Sequence, residues 1–336
     1  MSHAATPTST ATPLALPRIN RKALRILSWI LAGVVVVIVG RNLAHGLSDL
    51  RAHPLPQSPN WWLVLLSGAV FLSGHAVLVQ TWRSMLTCWE ARLPFWGAAR
   101  IWSVSNLARY LPGKIWNIGA MGAMSKNAGV SPVAASGSAI LSTLVNLLAG
   151  FAVAIISGRA LLEQSSQGRG AIALLIVIIA AGMLLIAPWL MPRVAPIIAR
   201  MAGRPVEATL PGWAVVYALV GNVVAWLLYG AAFQLFVLGL LGSLAGGYAE
   251  YLAAYTISYL LGYLVFFAPA GIGVREGAMV TVLASAGLTT APEAALVAIT
   301  SRVWLTLLEV VPGFVFWTHA AVNRRPPTRD PSDAPI

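Results

Sequence analysis

An arginine and a glutamate stand side by side, Arg275-Glu276, in a strongly apolar stretch of the sequence. Pro269, Gly271 and Gly273 come just before them. Charge inside a bilayer is costly, so an ionisable pair in such a stretch indicates a functional site. Irregular backbone at membrane depth is tolerated only where it lines a cavity or is buried in protein. The two features together predict that the protein handles its substrate here.

The chemistry that fits this segment is anion binding. Gly271 and Gly273 let the backbone bend and approach a ligand closely, and the helix that follows presents free N–H groups. Arg275 adds a forked, permanently charged partner for a phosphate. Glu276, in the first helical turn, would neutralise Arg275 when no lipid is bound. The alternative is that the pair only holds a kinked segment together.

Three further basic residues and one acidic residue extend this hypothesis. Arg302 and Glu309 are seven residues apart, so they share a helix face and would either complete a ring of charge around a polar cavity or form structural ion pairs. Arg109 and Lys114 flank a backbone break at Pro112-Gly113. They would receive a lipid phosphate at the cytoplasmic mouth, or else anchor the chain at the headgroup level.

Composition sets the class of protein. The chain has 336 residues, of which 58% are hydrophobic and 10% charged, whereas soluble domains carry about 25% charged residues. It is therefore a polytopic membrane protein. The basic residues are scattered among short loops, which argues against nucleic acid. With Cys88 as the single cysteine, a CxxC site is excluded, and no metal or other cofactor is predicted.

The apolar runs predict an all-α bundle of about eight spans. Broken or re-entrant helices are expected near 100–120 and 269–288, inside one transmembrane domain (21–320) with disordered cytoplasmic tails at 1–20 and 321–336. The runs that approach the roughly 20 residues needed to cross a membrane are 24–42, 61–82, 133–157, 171–190, 212–240, 250–268 and 294–318, with weaker stretches at 96–122 and 274–288.

A short pattern occurs twice. A Pro-Gly break at 112–114 leads to Ala-Gly-Val at 128–130, and a Pro-Ala-Gly break at 269–271 leads to Ala-Gly-Leu at 286–288. Each is followed by a proline and an apolar helix. The pattern suggests an internal repeat with a binding site between its halves, although two short matches also arise by chance. The order of spans makes the copies parallel, whereas inverted repeats are commoner in transporters.

These motifs carry a family resemblance. The segment 106–114 (NLARYLPGK), the AGV step at 128–130 and the segment 269–276 (PAGIGVRE) resemble the lysylphosphatidylglycerol synthase transmembrane-region family, which is also described as flippase-like. Arg302 matches an arginine that its members usually carry. The resemblance implies a helix bundle that moves a polar lipid between leaflets, with the phosphate held by Arg275, Arg302, Arg109 and Lys114.

The chain departs from that family in two ways. Where many members carry a Glu-Arg pair and an Asp, this sequence has Ser142, Thr143 and Asn146. It also ends shortly after the last span, so the resemblance does not extend to a soluble aminoacyl-transferase domain.

The function expected from the sequence is transport of an anionic lipid, either a phospholipid or a polyprenyl-phosphate-linked sugar. The sequence has no nucleotide-binding P-loop. One alternative is a membrane-embedded glycosyl- or acyl-transferase, for which Asp49, Glu276 or Glu309 would supply the carboxylate. Another is an accessory subunit of an envelope-synthesis complex. The expected partners are membrane lipids, with a glycosyltransferase or another envelope-synthesis enzyme as a further candidate.

Charge distribution predicts the orientation in the plasma membrane. Only Arg41, Arg51, Arg159 and Arg169 fall in outer loops, and Arg275 and Arg302 lie within spans, so the other sixteen basic residues are cytoplasmic. By the positive-inside rule both termini are cytoplasmic.

Cysteine labelling tests this orientation. In a chain whose Cys88 is replaced by serine, cysteines at positions 5 and 330 are expected to resist a membrane-impermeant maleimide until the cells are opened. Labelling of either position in intact cells would contradict the arrangement.

Overall fold

The computed structural model describes residues 58–87, 92–110, 116–164, 170, 212–265 and 271–322. Helices dominate this part of the chain, and it contains no strand. The all-α class predicted from the sequence is therefore confirmed. A 3₁₀ turn at Leu107–Tyr110 directly follows the second helix. The helices are α1 (Trp61–Thr87), α2 (Phe95–Asn106), α3 (Trp116–Lys126), α4 (Pro132–Gln164), α5 (Gly212–Leu241), α6 (Tyr248–Leu264), α7 (Val274–Ser285) and α8 (Ala291–Val322).

Four of these helices, α1, α4, α5 and α8, are long and apolar enough to cross a membrane. A helix satisfies its own backbone N–H and C=O groups, which hydrocarbon requires, so the protein is membrane-embedded. The four coincide with the predicted spans 61–82, 133–157, 212–240 and 294–318. The predicted spans 24–42 and 171–190, and nearly all of both tails, lie outside the described residues. The count of about eight spans stays a prediction, and two of the stretches that it includes, 250–268 and 274–288, form shorter helices, α6 with 17 residues and α7 with 12.

The eight helices form two units of four with the same plan. In α1–α4 and in α5–α8, a long helix is followed by a shorter one, a break, a short helix and another long helix. The short helices α3 and α7 have 11 and 12 residues, and the final helices α4 and α8 have 33 and 32. Contacts between the units also match, because α1 packs against α5, α2 against α8, and α4 against α6.

The two short helices end in the same cap. Gly129 and Gly287 have φ values of 76° and 68°, a left-handed conformation that favours glycine. The N–H of Val130 bonds to the carbonyl of Ser125, five residues back, at 3.0 Å. Leu288 bonds to the carbonyl of Leu283 in the same way, also at 3.0 Å. Both are Schellman motifs, so the repeated Ala-Gly step predicted from the sequence has one structural role in both units.

The two units point in opposite directions, because α1 and α5 are antiparallel. The Asn60 N–H, at the start of α1, donates to the Gly239 carbonyl near the end of α5 at 2.7 Å. A Cβ on Gly221, early in α5, would meet Thr81, late in α1. The parallel arrangement expected from the order of spans is therefore wrong. That expectation counted 274–288 as a crossing, whereas the 12 residues of α7 extend only about 18 Å at 1.5 Å per residue.

Paired glycine substitutions test the equivalence of the caps. Gly129→Ala and Gly287→Ala should each lower the free energy of unfolding by about 1–2 kcal/mol, because a side chain in the left-handed region is strained. Unfolding in detergent would measure this. The matched controls are Gly119→Ala and Gly277→Ala, which lie inside α3 and α7 with open space around the new Cβ and should be neutral or stabilising. A lower free energy of unfolding in only one of the two cap variants would contradict the equivalence.

Candidate functional site

Two glycines allow the start of α7 to pack closely against α6. Gly271 has a φ of 72°, and a Cβ there would lie 2.8 Å from the Gly262 carbonyl oxygen. A Cβ on Gly262 would lie 2.9 Å from the Cβ of Arg275. Both distances are too short for any side chain, so only glycine at both positions allows this crossing. The crossing places Arg275, the second residue of α7, directly on the face of α6.

Arg275 is buried, with 6% of its surface exposed, and lies over two tyrosine rings of α6. Its guanidinium carbon is 5.2 Å from the ring centre of Tyr255 and 5.1 Å from that of Tyr259, within the range of cation–π attraction. In the part of the chain that the structure describes, no carboxylate lies within salt-bridge distance of it. Its Nη2 atom is buried without a hydrogen-bond partner. The site thus holds a desolvated cation with unused donor capacity.

Glu276 does not neutralise Arg275, and the sequence-based expectation is wrong on this point. Its Oε2 accepts a hydrogen bond from the Gly273 N–H at 2.6 Å, which caps the start of α7 as the glutamate of a capping box does. Its Oε1 lies 3.5 Å from Nη1 of Arg302 on α8. Adjacent residues on a helix do not face each other, so Glu276 pairs across to α8 while Arg275 points to α6.

A second ion pair joins the two units. Nη1 of Arg109, in the 3₁₀ turn after α2, lies 2.6 Å from Oε1 of Glu309 on α8. Gly313 makes this approach possible, because a Cβ there would lie 2.9 Å from the Leu107 side chain. Helix α8 continues through Pro312 to Val322, so the Pro-Gly pair does not end the helix. Gly313 instead leaves room for the end of α2 to pack against α8.

These charged groups surround one cavity of about 700 Å³, part of it open to the exterior. Arg109, Arg275, Arg302 and Glu309 all line it, as does Gly271. Arg302 and Glu309 share a face as predicted. Counting Glu276, three arginines and two glutamates leave one net positive charge. The cavity also receives residues from both backbone breaks, so the repeat and the charge cluster predicted from the sequence meet at one place.

The structure leaves some predicted site residues open and adds others. Pro112, Gly113, Lys114 and Pro269 lie outside the described residues. Sequence reasoning missed Gly262 and the tyrosines of α6. The signal for the tyrosines was present, because they recur at every fourth position and therefore lie on one helix face. They are Tyr251, Tyr255, Tyr259 and Tyr263.

Comparison of the sequence with protein-family models and with curated proteins gave no match. The family resemblance stays a prediction that rests on the three motif segments and Arg302.

Double-mutant cycles on unfolding free energy test the observed pairing. The coupling between Arg109 and Glu309 should be largest, about 1.5–3 kcal/mol, because the groups are hydrogen-bonded and mostly buried. The coupling between Arg302 and Glu276 should be smaller, because their closest N···O distance is 3.5 Å and the pair is not hydrogen-bonded. The third cycle, Arg275 with Glu276, is the control and should show the least coupling. A coupling free energy between Arg275 and Glu276 as large as that between Arg109 and Glu309 would contradict the observed pairing.

Proposed function

We propose that this protein moves an anionic lipid between the leaflets of the plasma membrane. The observation that carries the proposal is Arg275, a buried arginine with no carboxylate partner among the described residues. A buried charge is stable only when it is compensated. Two tyrosine rings compensate it in part, and a phosphate in the adjoining cavity would complete the compensation.

Each charged side chain has a role in this mechanism. The stacked guanidinium of Arg275 offers its planar fork to two phosphate oxygens. Arg302 adds a second positive group to the same cavity. Glu276 and Glu309, in ion pairs with Arg302 and Arg109, hold the empty site close to neutral. The headgroup crosses through the cavity while the acyl or prenyl chains stay in lipid.

The opposed units support a transport role over a purely structural one. Transporters commonly place their binding site between inverted repeats, where broken helices expose polar backbone at membrane depth. Here residues next to both breaks, Arg109 and Asn117 in one unit and Gly271 and Arg275 in the other, line one cavity. Because the two units are oppositely oriented, a lipid headgroup would reach the site past corresponding helices from either leaflet.

The transferase alternative needs a carboxylate that is free to act as a base. Glu276 and Glu309 are each held in an ion pair with an arginine. Asp49 lies outside the described residues. No observation on the described residues favours this reading over transport.

Substitution of Arg275 by lysine tests the transport mechanism. Lysine keeps the charge but lacks the planar guanidinium that donates two parallel hydrogen bonds to a phosphate. We expect scrambling of a fluorescent anionic phospholipid in reconstituted vesicles to fall by about tenfold or more. Arg302→Lys should be milder, and Arg100→Lys, at an exposed position of α2, serves as the matched control with wild-type rates.

Further variants separate the alternatives. Glu276→Gln should alter the scrambling rate while the protein stays folded, and its disappearance from the membrane would favour a structural role. Asp49→Asn should leave scrambling unchanged, whereas an outer-face transferase would lose activity with Asp49 and keep it with Arg275→Lys. Wild-type rates from Arg275→Lys would end the two-bond phosphate mechanism. Absence of scrambling by the wild type across several lipid classes would count against transport itself.

A further inference from the structure

A second cavity, part of it open to the exterior, adjoins the first. The two cavities share five lining residues, namely Arg109, Asn117, Tyr259, Tyr263 and Glu309. The Arg109–Glu309 ion pair therefore lies where the cavities meet, and a ligand held by Arg275 in the first cavity can extend past this pair into the second.

The second cavity has a different chemistry from the first. Its only formally charged lining residues among those described are Arg109 and Glu309, which pair with each other at 2.6 Å. The rest of its polar lining consists of His75, tyrosines, and amide and hydroxyl side chains. The amides and hydroxyls are those of Asn106, Asn117, Asn146, Asn222, Ser142 and Thr143. Trp102 and Trp226 add aromatic surface.

Some of these polar groups hold the helices together. Nδ2 of Asn146 on α4 donates to Oδ1 of Asn222 on α5 at 2.8 Å, and Asn222 donates in turn to the Ala218 carbonyl at 2.7 Å. Oδ1 of Asn117 accepts a hydrogen bond from the Ile118 N–H at 2.9 Å, which leaves its NH₂ group as a donor.

Other groups have unused hydrogen-bonding capacity. Nε1 of Trp102 is a buried donor without a partner. The side chains of Asn106 and Ser142 make no hydrogen bond within the described ranges, and both are buried. The unpaired Trp102 Nε1 costs free energy, and Asn106 and Ser142 offer further donors and acceptors, so a ligand that supplies hydroxyl groups would be favoured here.

Comparison of the two units gives independent support for a charged and an uncharged part of the binding region. Asn117 is the second residue of α3 and Arg275 is the second residue of α7, so they occupy the same place in their units. Both line the first cavity, and Asn117 also lines the second. One unit thus supplies a permanent charge where the other supplies a neutral amide.

We propose that the second cavity holds an uncharged, hydroxyl-rich headgroup, a glycosyl group, of the lipid whose phosphate binds at Arg275. This inference rests on the proposed transport function and names its substrate class as a lipid-linked glycosyl phosphate. A hydroxyl both donates and accepts, as the amides do, and the apolar C–H face of a sugar ring packs on aromatic surface. A charged headgroup would lose its hydration without a free counter-charge.

The test is direct binding to the purified full chain in detergent, measured by calorimetry. The main probe is a short-chain isoprenyl glucosyl phosphate. Its control is the isoprenyl methyl phosphate, a phosphodiester of the same charge without the sugar. The wild type should bind the glucosyl probe more tightly. Asn106→Leu and Ser142→Ala should each weaken that binding by about twofold to tenfold and leave the methyl probe unchanged, which also shows that the variants are folded. Arg275→Lys should weaken both probes.

The outcomes separate this inference from the proposed function. If the wild type binds neither phosphodiester, the proposed function fails and this inference fails with it. Equal affinity for the glucosyl and methyl probes, with no effect of the two cavity variants, overturns only the glycosyl headgroup. Tighter binding of a short-chain aminoacylated phosphatidylglycerol overturns the requirement for an uncharged headgroup. Equally tight binding of methyl glucosyl phosphate, which lacks the lipid chain, overturns a lipid-linked ligand.

Discussion

The site depends on one contact, the crossing of Gly271 over Gly262. Because neither position has a side chain, the backbone before α7 lies against α6, and the guanidinium of Arg275 reaches the rings of Tyr255 and Tyr259. Any larger residue would separate the two helices and move the arginine off the rings. The burial of a charge in an apolar bundle is thus a consequence of close backbone packing, and the cavity lies beside it at the start of α7.

The charges around this contact are arranged to be nearly but not fully balanced. Two arginines are paired with glutamates on other helices, and those ion pairs join α7 to α8 and one unit to the other. Arg275 is left with aromatic partners, whose attraction for a cation is about 0.5–2 kcal/mol, less than a buried charge requires. The imbalance favours an anionic ligand and does not depend on the identity of the lipid.

Sequence alone gave the class, the position of the breaks and the residues of the charge cluster, because these depend on composition and on glycine, proline and charge in apolar runs. It gave the wrong partner for Glu276, because proximity along the chain does not determine which helix a side chain faces. It gave the wrong relation between the repeats, because the order of spans counted 274–288 as a crossing, whereas the 12 residues of α7 are too few to cross a membrane. The tyrosines of α6 were readable from their spacing, but an arginine over their rings depends on a crossing of helices that no local pattern contains.

The matching caps have a consequence for how the sequence of this fold can evolve. The residues that set the backbone, Gly129 and Gly287, are distinct from those that set the chemistry, Asn117 and Arg275, although each pair occupies corresponding places in the two units. Duplication of one ancestral unit would have produced a symmetric scaffold with two identical half-sites. Because each cap lies at the far end of its short helix from that second residue, a substitution of the second residue leaves the capped turn in place and gives the two halves different ligand preferences.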